Sequence, residues 1–244
     1  RNEKMTLYDM PVSNMGARVR LIMYWKGLED KFQFKTPMDE GGFQSEKYLG
    51  INPQGKMPAL VMPNGLKLIE SEVIAQYLVD AYPGNGPDLR PSDPMGKAVA
   101  NLATRVHDMY ITTIQPCMYR AMDVQERHAK IQELYKQIHI LEGIIQGPFV
   151  VGSSPTTADA ALFPTFVFMN FMLPRFFFWD DVFAGTPKLK VWFDAMSADA
   201  QGGRVRAEVE GALEGWESGG RWTKLGINEQ VQMPGLNWAP PFKS

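Results

Sequence analysis

Hydrophobic residues recur at two different spacings along this chain, and the change of spacing divides it into two parts. In the first part, four short runs fit strands, at residues 5–10, 31–36, 59–62 and 66–69. Two further runs, 17–26 and 70–82, have helical spacing. The order is therefore β-α-β followed by β-β-α. A right-handed crossover would make the first two strands parallel, and the later hairpin would extend the same sheet.

The second part is predicted to be helical throughout. A stretch rich in Pro, Gly and Asp (PGNGPDLRPSDP) separates it from the first part and is typical of an interdomain linker. The helical runs are 95–122 with a break near Pro116, 124–145, 156–172, 187–196 and 204–216. We therefore predict domains at 1–83 and 95–222, a linker at 84–94, and an irregular tail at 223–244. Between the second and third strands, residues 37–50 are predicted to form a loop with a short helix near 45–48.

One edge of the predicted sheet carries the first candidate for function. The segment Asn52-Pro53-Gln54-Gly55-Lys56-Met57-Pro58 is a turn that leads through an X-Pro bond into the third strand. The fourth strand runs directly into Glu70-Ser71, where a helix begins. Backbone groups and a helix N-terminus would thus lie together, an arrangement that suits a peptide-like ligand with a carboxylate.

Composition narrows the function classes. The 244 residues are 45% hydrophobic, enough to bury a substantial core, and the net charge of -2 gives no electrostatic footprint for nucleic acid. The apolar run 160–173 is too short to span a bilayer and is interrupted by Pro164 and Asn170. A buried helix is the expected reading.

Metal and disulfide chemistry are not predicted. Cys117 is the only cysteine, so an intramolecular disulfide or a multi-cysteine metal site is excluded. The three histidines, His107, His128 and His139, lack ligand-like spacing and are interpreted as ordinary helix residues. No signal or transit peptide is visible, so we expect a cytoplasmic protein, or an organellar one (for example plastid) if a leader was removed before Arg1.

Four motifs, in this order along the chain, resemble those of the cytosolic glutathione transferase superfamily. They are residues 13–20 (SNMGARVR), residues 52–58, the pair Glu70-Ser71, and the capping box Thr156-Thr157-Ala158-Asp159. The first is similar to the serine-bearing turn of the plant-like tau, phi and zeta-related classes, without assigning one class. The resemblance runs from Met5 to about Trp216. It implies a thioredoxin-like α/β domain, an all-α C-terminal domain, a homodimer, and glutathione as co-substrate without a metal.

The resemblance also implies where glutathione would bind. The backbone of Met57, before a cis Pro58, would pair with the cysteinyl part of the tripeptide. Ser71 would bind the γ-glutamyl carboxylate at the helix start, and Glu70 would face the ammonium group. Lys56 and Gln44 are the candidates for contacts with the glycyl end.

Ser13 is the implied catalytic residue. A hydroxyl that donates to the sulfur at a helix start favours the thiolate. Ser13 could instead only cap the helix, and Tyr8, at the end of the first strand, is the competing thiolate stabiliser, depending on which face of the strand its ring occupies. Arg18 could add positive potential or form an interdomain salt bridge. The absence of a cysteine near position 13 argues against relatives that form mixed disulfides with glutathione.

The second substrate would lie between the domains. The candidates for its apolar wall are Met109, Tyr110, Ile114 and Phe171, with Met118 and the aromatic group at 176–179 as further candidates. Aromatic residues at helical spacing are also typical of a core. The expected function is conjugation of glutathione to small hydrophobic electrophiles or reduction of peroxides. The alternative is a non-catalytic protein on the same scaffold that carries an apolar ligand or joins a larger assembly.

Overall fold

A four-stranded mixed sheet forms the first half of the molecule. The computed structural model describes residues 4–241, and its strands are β1 (Met5–Tyr8), β2 (Phe32–Lys35), β3 (Ala59–Val61) and β4 (Lys67–Ile69). The strand order is β2-β1-β3-β4. β1 and β2 are parallel, with Met5 opposite Phe32, whereas β3 is antiparallel to both of its neighbours. The predicted crossover and hairpin are both present.

Three helices accompany this sheet: α1 (Asn14–Trp25), α2 (Glu46–Leu49) and α3 (Ser71–Ala81). α1 begins three residues earlier than the hydrophobic spacing predicts, because Ser13 caps it by accepting the N–H of Gly16 at 3.0 Å. The predicted loop 37–50 contains α2 and a 3₁₀ turn at Pro37–Glu40.

The second half is helical. Its helices are α4 (Pro94–Val106), α5 (Val124–Ile144), α6 (Thr157–Phe176), α7 (Pro187–Ala198), α8 (Ala200–Ser218), α9 (Arg221–Lys224) and α10 (Ile227–Val231). The run expected at 95–122 is divided by a π-helical turn, His107–Ile111, and a 3₁₀ turn, Gln115–Met118. No helix within residues 4–241 is long and apolar enough to cross a membrane.

The prediction of an irregular tail is wrong for its first part. α9 and α10 form there because Trp222 and Ile227 are buried against the core and anchor the two short helices. Further along, Trp238 is also buried, and its carbonyl accepts the indole N–H of Trp179 at 2.8 Å. The described part of the tail is therefore docked on the helical domain.

The capping box at the start of α6 is confirmed. The Thr156 N–H and hydroxyl both donate to Asp159, at 2.7 and 2.8 Å. The same carboxylate accepts the Val150 N–H at 2.8 Å and the Trp192 indole N–H at 2.9 Å. Because four donors meet one fully buried carboxylate, this cap also joins α6 to α7 and to the preceding loop.

One continuous core passes from the sheet into the helical half. It contains Leu7 and Ile22 from the first half and Phe163 and Trp192 from the second. α1 packs against both α6 and α8, so the turn that precedes α1 lies at the junction of the two halves. A smaller cluster, centred on Tyr8 and Tyr48, occupies the opposite side of β1, as strand alternation requires.

Candidate active site

Ser13 lies at the N-terminus of α1 in extended conformation and is 7% exposed. Its oxygen accepts the Gly16 N–H, which leaves its own proton available to a further acceptor. Asp9, one such acceptor, is buried beside it and forms an ion pair with Arg20. Burial raises the pKa of the Asp9 carboxyl, while Arg20 and a hydrogen bond from the Ser13 hydroxyl act against that rise.

Gly16 makes this close arrangement possible. A β-carbon at position 16 would lie 1.6 Å from an oxygen of Asp9, so any side chain there would displace the carboxylate. The glycine is therefore required for the approach of β1 to the first turn of α1. The sequence shows the glycine, but it does not indicate that the close approach of Asp9 requires it.

Tyr8 is placed away from Ser13. Its hydroxyl donates to Glu40 at 2.8 Å, and its ring contacts Tyr48 edge-on. Burial and the interaction with Glu40 raise the pKa of Tyr8 to about 12. A phenol that is engaged with a carboxylate and packed on the opposite side of β1 is poorly suited to stabilise a thiolate.

The loop before β3 presents the backbone of Met57. The Met57-Pro58 bond is cis. The Lys56 carbonyl accepts the Tyr48 hydroxyl and the Asn52 side-chain amide, both at 2.7 Å. Within residues 4–241, the N–H and C=O of Met57 make no hydrogen bond, so both groups are free to pair with an extended ligand.

The candidates for the glycyl end lie on the two loops that flank α2. The Lys56 side chain is exposed, and the side-chain amide of Gln44 lies against Gly55. Asn52 was not singled out from the sequence as a residue with its own role. Its side-chain amide nitrogen donates to the Lys56 carbonyl and its side-chain oxygen accepts the Gln54 N–H at 3.0 Å, so it stabilises the turn. The cationic and amide side chains are thus brought to one edge of the sheet.

Glu70 and Ser71 lie at the start of α3. Glu70 has φ of 69°, a left-handed conformation that is costly for a residue with a side chain and is concentrated at functional sites. Its carboxylate is exposed and does not cap the helix. Ser71 is buried, and its hydroxyl lies 3.3 Å from the guanidinium of Arg18. A helix N-terminus, a hydroxyl and a cation therefore converge, which suits an anion.

Of the two roles that the sequence left open for Arg18, the structure shows the interdomain salt bridge. Besides Ser71, Arg18 contacts Glu72 at the start of α3 and Asp108 of the helical half, the latter at 3.1 Å. The Arg18 side chain is 1% exposed and the Asp108 side chain 25% exposed, so this interdomain ion pair is buried at the arginine and partly open to water at the carboxylate. Burial would raise the pKa of Asp108, but the His107 hydrogen bond and the Arg18 charge outweigh it and lower that pKa.

An open cavity of about 350 Å³ lies beside the turn that leads from β1 to Ser13. Its walls come from that turn, from β2, from α1 and from α8: Asp9, Met10, Pro11, Arg20, Tyr24, Phe34, Lys35, Thr36, Asp39 and Glu208. The size and the mainly apolar character of such a space suit a small organic molecule. Because α8 contributes one wall, the cavity lies between the two halves of the molecule.

The predicted wall residues are placed differently from one another. Met109 and Tyr110 are exposed at the π-helical turn, and Ile114 is partly buried. Phe171 is 2% exposed and lies in the core, covered by the guanidinium of Arg175 at 3.9 Å from the ring centre. Phe171 therefore does not face an open cleft.

Comparison with known proteins gives one family for both halves. The family model described as "Glutathione S-transferase, N-terminal domain" matches residues 7–86, and its C-terminal counterpart matches residues 119–195. Glutathione S-transferase omega-1 of Sus scrofa is 30% identical over 203 residues, covering 79% of this chain and 76% of that protein. This chain belongs to the cytosolic glutathione S-transferase superfamily.

Two further likenesses place this chain within the family's fold. Glutathione S-transferase 3 of Zea mays is 29% identical over 208 residues, covering 79% of this chain and 88% of that protein. A glutathione transferase homologue from Sulfitobacter, solved with bound glutathione, has a TM-score of 0.69 at 21% identity, covering 84% of this chain and 98% of that one. The predicted fold, a thioredoxin-like domain followed by an all-α domain, is confirmed.

Sequence reasoning missed part of the protein's interior. His107, interpreted as an ordinary helix residue, is fully buried and hydrogen-bonded on both ring nitrogens, to Asp108 and Thr165. The available signal was a hydroxyl residue, Thr165, in the middle of an otherwise apolar helix. No group of three or more His, Cys, Asp or Glu suited to a metal ion occurs in the described range 4–241.

Proposed function

We propose that this protein conjugates the glutathione thiolate to small hydrophobic electrophiles and that the Ser13 hydroxyl donates to the sulfur. The observation that carries the proposal is that the Ser13 oxygen already accepts the Gly16 N–H, so its proton is the part left for a ligand. A free thiol titrates near ~8.5. Lowering its pKa by about two units, equivalent to ~2.7 kcal/mol, would make the bound sulfur mostly anionic at neutral pH.

Glutathione would lie extended along the edge formed by the Met57 loop and the start of α3. The free backbone groups of Met57 would pair with its cysteinyl unit. Its γ-glutamyl carboxylate would meet Ser71 and the N-terminus of α3, with Arg18 behind them, and its ammonium would meet Glu70. Lys56 and Gln44 would serve the glycyl carboxylate.

The Ser13→Ala variant tests the catalytic role. With a chlorinated nitrobenzene as electrophile, we expect kcat to fall by about one to three orders of magnitude, since the sulfur loses its donor. Asp93→Ala is a matched control, because Asp93 caps α4 through the Gly96 N–H with the same three-residue spacing. Each variant loses one cap of ~1 kcal/mol. Equal activity of the two variants would remove Ser13 from the mechanism.

Two walls remain candidates for the second substrate. One is the cavity at Met10 and Phe34, and the other is the exposed pair Met109 and Tyr110. We propose the cavity, because it adjoins the Ser13 turn and is lined mainly by apolar atoms. Phe34→Ala should raise KM for the electrophile and leave KM for glutathione unchanged. If Phe34→Ala leaves KM for the electrophile unchanged and Met109→Ala raises it, the second-substrate site lies at the π-helical turn instead.

Calorimetry with glutathione separates this proposal from the non-catalytic alternative. If no binding is detected even at millimolar glutathione, a carrier or structural role on the same scaffold would be favoured. An organic hydroperoxide in place of the electrophile measures whether the same thiolate also reduces peroxides, and Ser13→Ala should weaken both reactions together.

We also propose a homodimer. Met95, Leu102 and Met109 lie seven residues apart, so they form one stripe along α4 and its π-helical extension, and each is more than half exposed. An apolar stripe of this kind marks an interaction surface. Light scattering after size exclusion should show a dimer that Leu102→Glu dissociates, whereas a monomeric wild-type protein would contradict the proposal.

A further inference from the structure

A chain of buried hydrogen bonds joins the two ends of the candidate glutathione site through the helical domain. It starts at Asn14, the residue after Ser13, and ends at Arg18, which contacts Ser71. Its middle members, Thr165 and His107, belong to the second half of the molecule. The proposed function uses only the two ends, Ser13 and Ser71, and leaves the middle unexplained.

The first link fixes the start of α1. The Asn14 side-chain amide donates to Gln115 at 2.7 Å and to Thr165 at 2.9 Å. Asn14 is 9% exposed and both of its partners are about 1% exposed or less. Since Asn14 is the first residue of α1, this anchor holds the backbone that carries the Ser13 hydroxyl.

The second link passes through His107. Its Nε2 lies 2.8 Å from the Thr165 hydroxyl oxygen, and its Nδ1 lies 2.8 Å from an Asp108 carboxylate oxygen. A carboxylate only accepts, so Nδ1 carries the proton and Nε2 accepts the Thr165 O–H. Burial holds the pKa of His107 below its usual range even though Asp108 opposes that shift. The neutral ring therefore donates on one side and accepts on the other.

The third link returns to α1. Asp108 accepts from Arg18 at 3.1 and 3.2 Å, and Arg18 in turn contacts Ser71 and Glu72 of α3. Arg18 lies four residues after Asn14, so both anchors are on one face of α1. The donors from Asn14 through Thr165 and His107 all point toward Asp108, which also accepts from Arg18 at the other end of the path.

The backbone at His107 is irregular in a way that serves this path. The Thr112 N–H bonds to the His107 carbonyl at 3.0 Å, which closes a π-helical turn. Such turns are rare and frequently occur at functional sites. Here the turn lies where two consecutive side chains, His107 and Asp108, both take part in the path beside α1.

We propose that His107 is a positioning residue for the transferase reaction, joining the anchor of the Ser13 turn to the Arg18–Ser71 pair so that the helical domain sets their relative geometry. His107 does not touch the substrate in this account. It acts by holding Thr165 and Asp108, each of which holds one point on α1. The inference rests on the proposed function of Ser13 and Ser71.

Thr165→Val is the sharpest test, because it removes the hydroxyl that both Asn14 and His107 use and keeps the shape of the side chain. We expect KM for glutathione to rise and the thiolate fraction of bound glutathione at neutral pH to fall, each by roughly five- to tenfold. The ultraviolet absorbance of the bound thiolate, titrated against pH, measures the second quantity. Thr165→Ser, which keeps the hydroxyl, should restore both.

Thr157→Val on the same helix is the matched control. Thr157 is also buried, and its hydroxyl takes no part in this path. Its variant should bind and ionise glutathione as the wild-type protein does. His107→Phe should act like Thr165→Val, with thermal unfolding used to check that it folds.

The outcomes separate the inference from the function on which it rests. If the folded Thr165→Val protein binds and ionises glutathione like the Thr157→Val protein, the positioning role of His107 is refuted and the role of Ser13 stands. If wild-type protein binds glutathione without ionising its thiol, the proposed function fails, and the inference fails with it.

Discussion

Replacing Arg18 with methionine should destabilise the protein and weaken glutathione binding together. The guanidinium is 1% exposed and contacts two carboxylates, Glu72 from the first half and Asp108 from the second. Methionine has a similar length and no charge, so it would leave both carboxylates without their cation. The Ser71 hydroxyl would lose the same guanidinium as a donor.

The size of the stability loss depends on how far water can solvate the Glu72 and Asp108 carboxylates once the guanidinium is removed. Removing one member of a buried ion pair costs about 3–5 kcal/mol. The Glu72 and Asp108 side chains are 32% and 25% exposed, so water compensates in part. We therefore expect a loss of about 2–3 kcal/mol in the free energy of unfolding. Arg18→Lys keeps the charge but lacks the planar fork, and should lose roughly half as much.

The pH dependence of this loss has a definite sign. Arg18 and His107 lower the pKa of Asp108 in the folded protein, against the effect of burial. A lowered carboxyl pKa stabilises the folded state above the unfolded value near ~3.9 and ceases to do so as the pH falls through the folded value. The difference between wild type and Arg18→Met should be complete at neutral pH and shrink below about pH 4.

Urea unfolding at neutral pH and at steps down to about pH 3.5 would measure this difference, since urea does not screen charges. A loss under ~1 kcal/mol at neutral pH, or one that is unchanged in acid, would refute the buried ion pair as a stabilising contact. Glutathione calorimetry on the same variant should show weaker binding. Unchanged affinity would separate Arg18 from the Ser71 site.

Three further predictions concern single side chains. Asp159→Ala should lower the free energy of unfolding by about 3 kcal/mol or more, because four donors lose their acceptor, and denaturant unfolding would show it; a loss near that of a simple cap, ~1 kcal/mol, would contradict this. Tyr8→Phe should leave kcat within about twofold, since the phenol is engaged with Glu40, and a large drop in kcat would reinstate Tyr8. Cys117 should resist thiol reagents in the native protein and react in urea, because burial raises its pKa to about 12; rapid native labelling would show that it is accessible.

The sequence predicts those features that depend on local pattern. The order of strands and helices along the first half, the Met57-Pro58 turn and the capping box at Thr156 and Asp159 each need only a few neighbouring residues to be recognised. The polar path through His107 joins positions far apart in the chain, such as Asn14 and Thr165. No local pattern indicates which distant polar residues meet, so the sequence does not predict that part of the site.

Segment composition alone left two features of the fold wrong or undecided. The tail was predicted to be irregular, and Phe171 was a candidate either for the wall of a cleft or for the core. Burial of Trp222 and Ile227 instead orders the start of the tail, and packing against the rest of the core encloses Phe171. Aromatic residues in a sequence indicate a surface that is shielded from water. Only the fold shows whether the rest of the protein or a ligand shields it.

Ser13 has two possible acceptors in the proposed mechanism, and the balance between them depends on a residue away from glutathione. Asp9 is the acceptor that could compete with the sulfur for the Ser13 proton, because Ser13 is among the groups that lower the pKa of this buried carboxylate against the effect of burial. Arg20, two turns into α1, forms an ion pair with Asp9 and so supplies the carboxylate with a donor other than Ser13. Arg20 also donates to the carbonyls of Met10 and Pro11, at 3.3 and 3.1 Å, and so holds the turn itself. The donor strength of Ser13 toward sulfur is therefore a property of the whole β1–α1 turn, and loss of Arg20 would shift the proton toward Asp9 even with Ser13 in place.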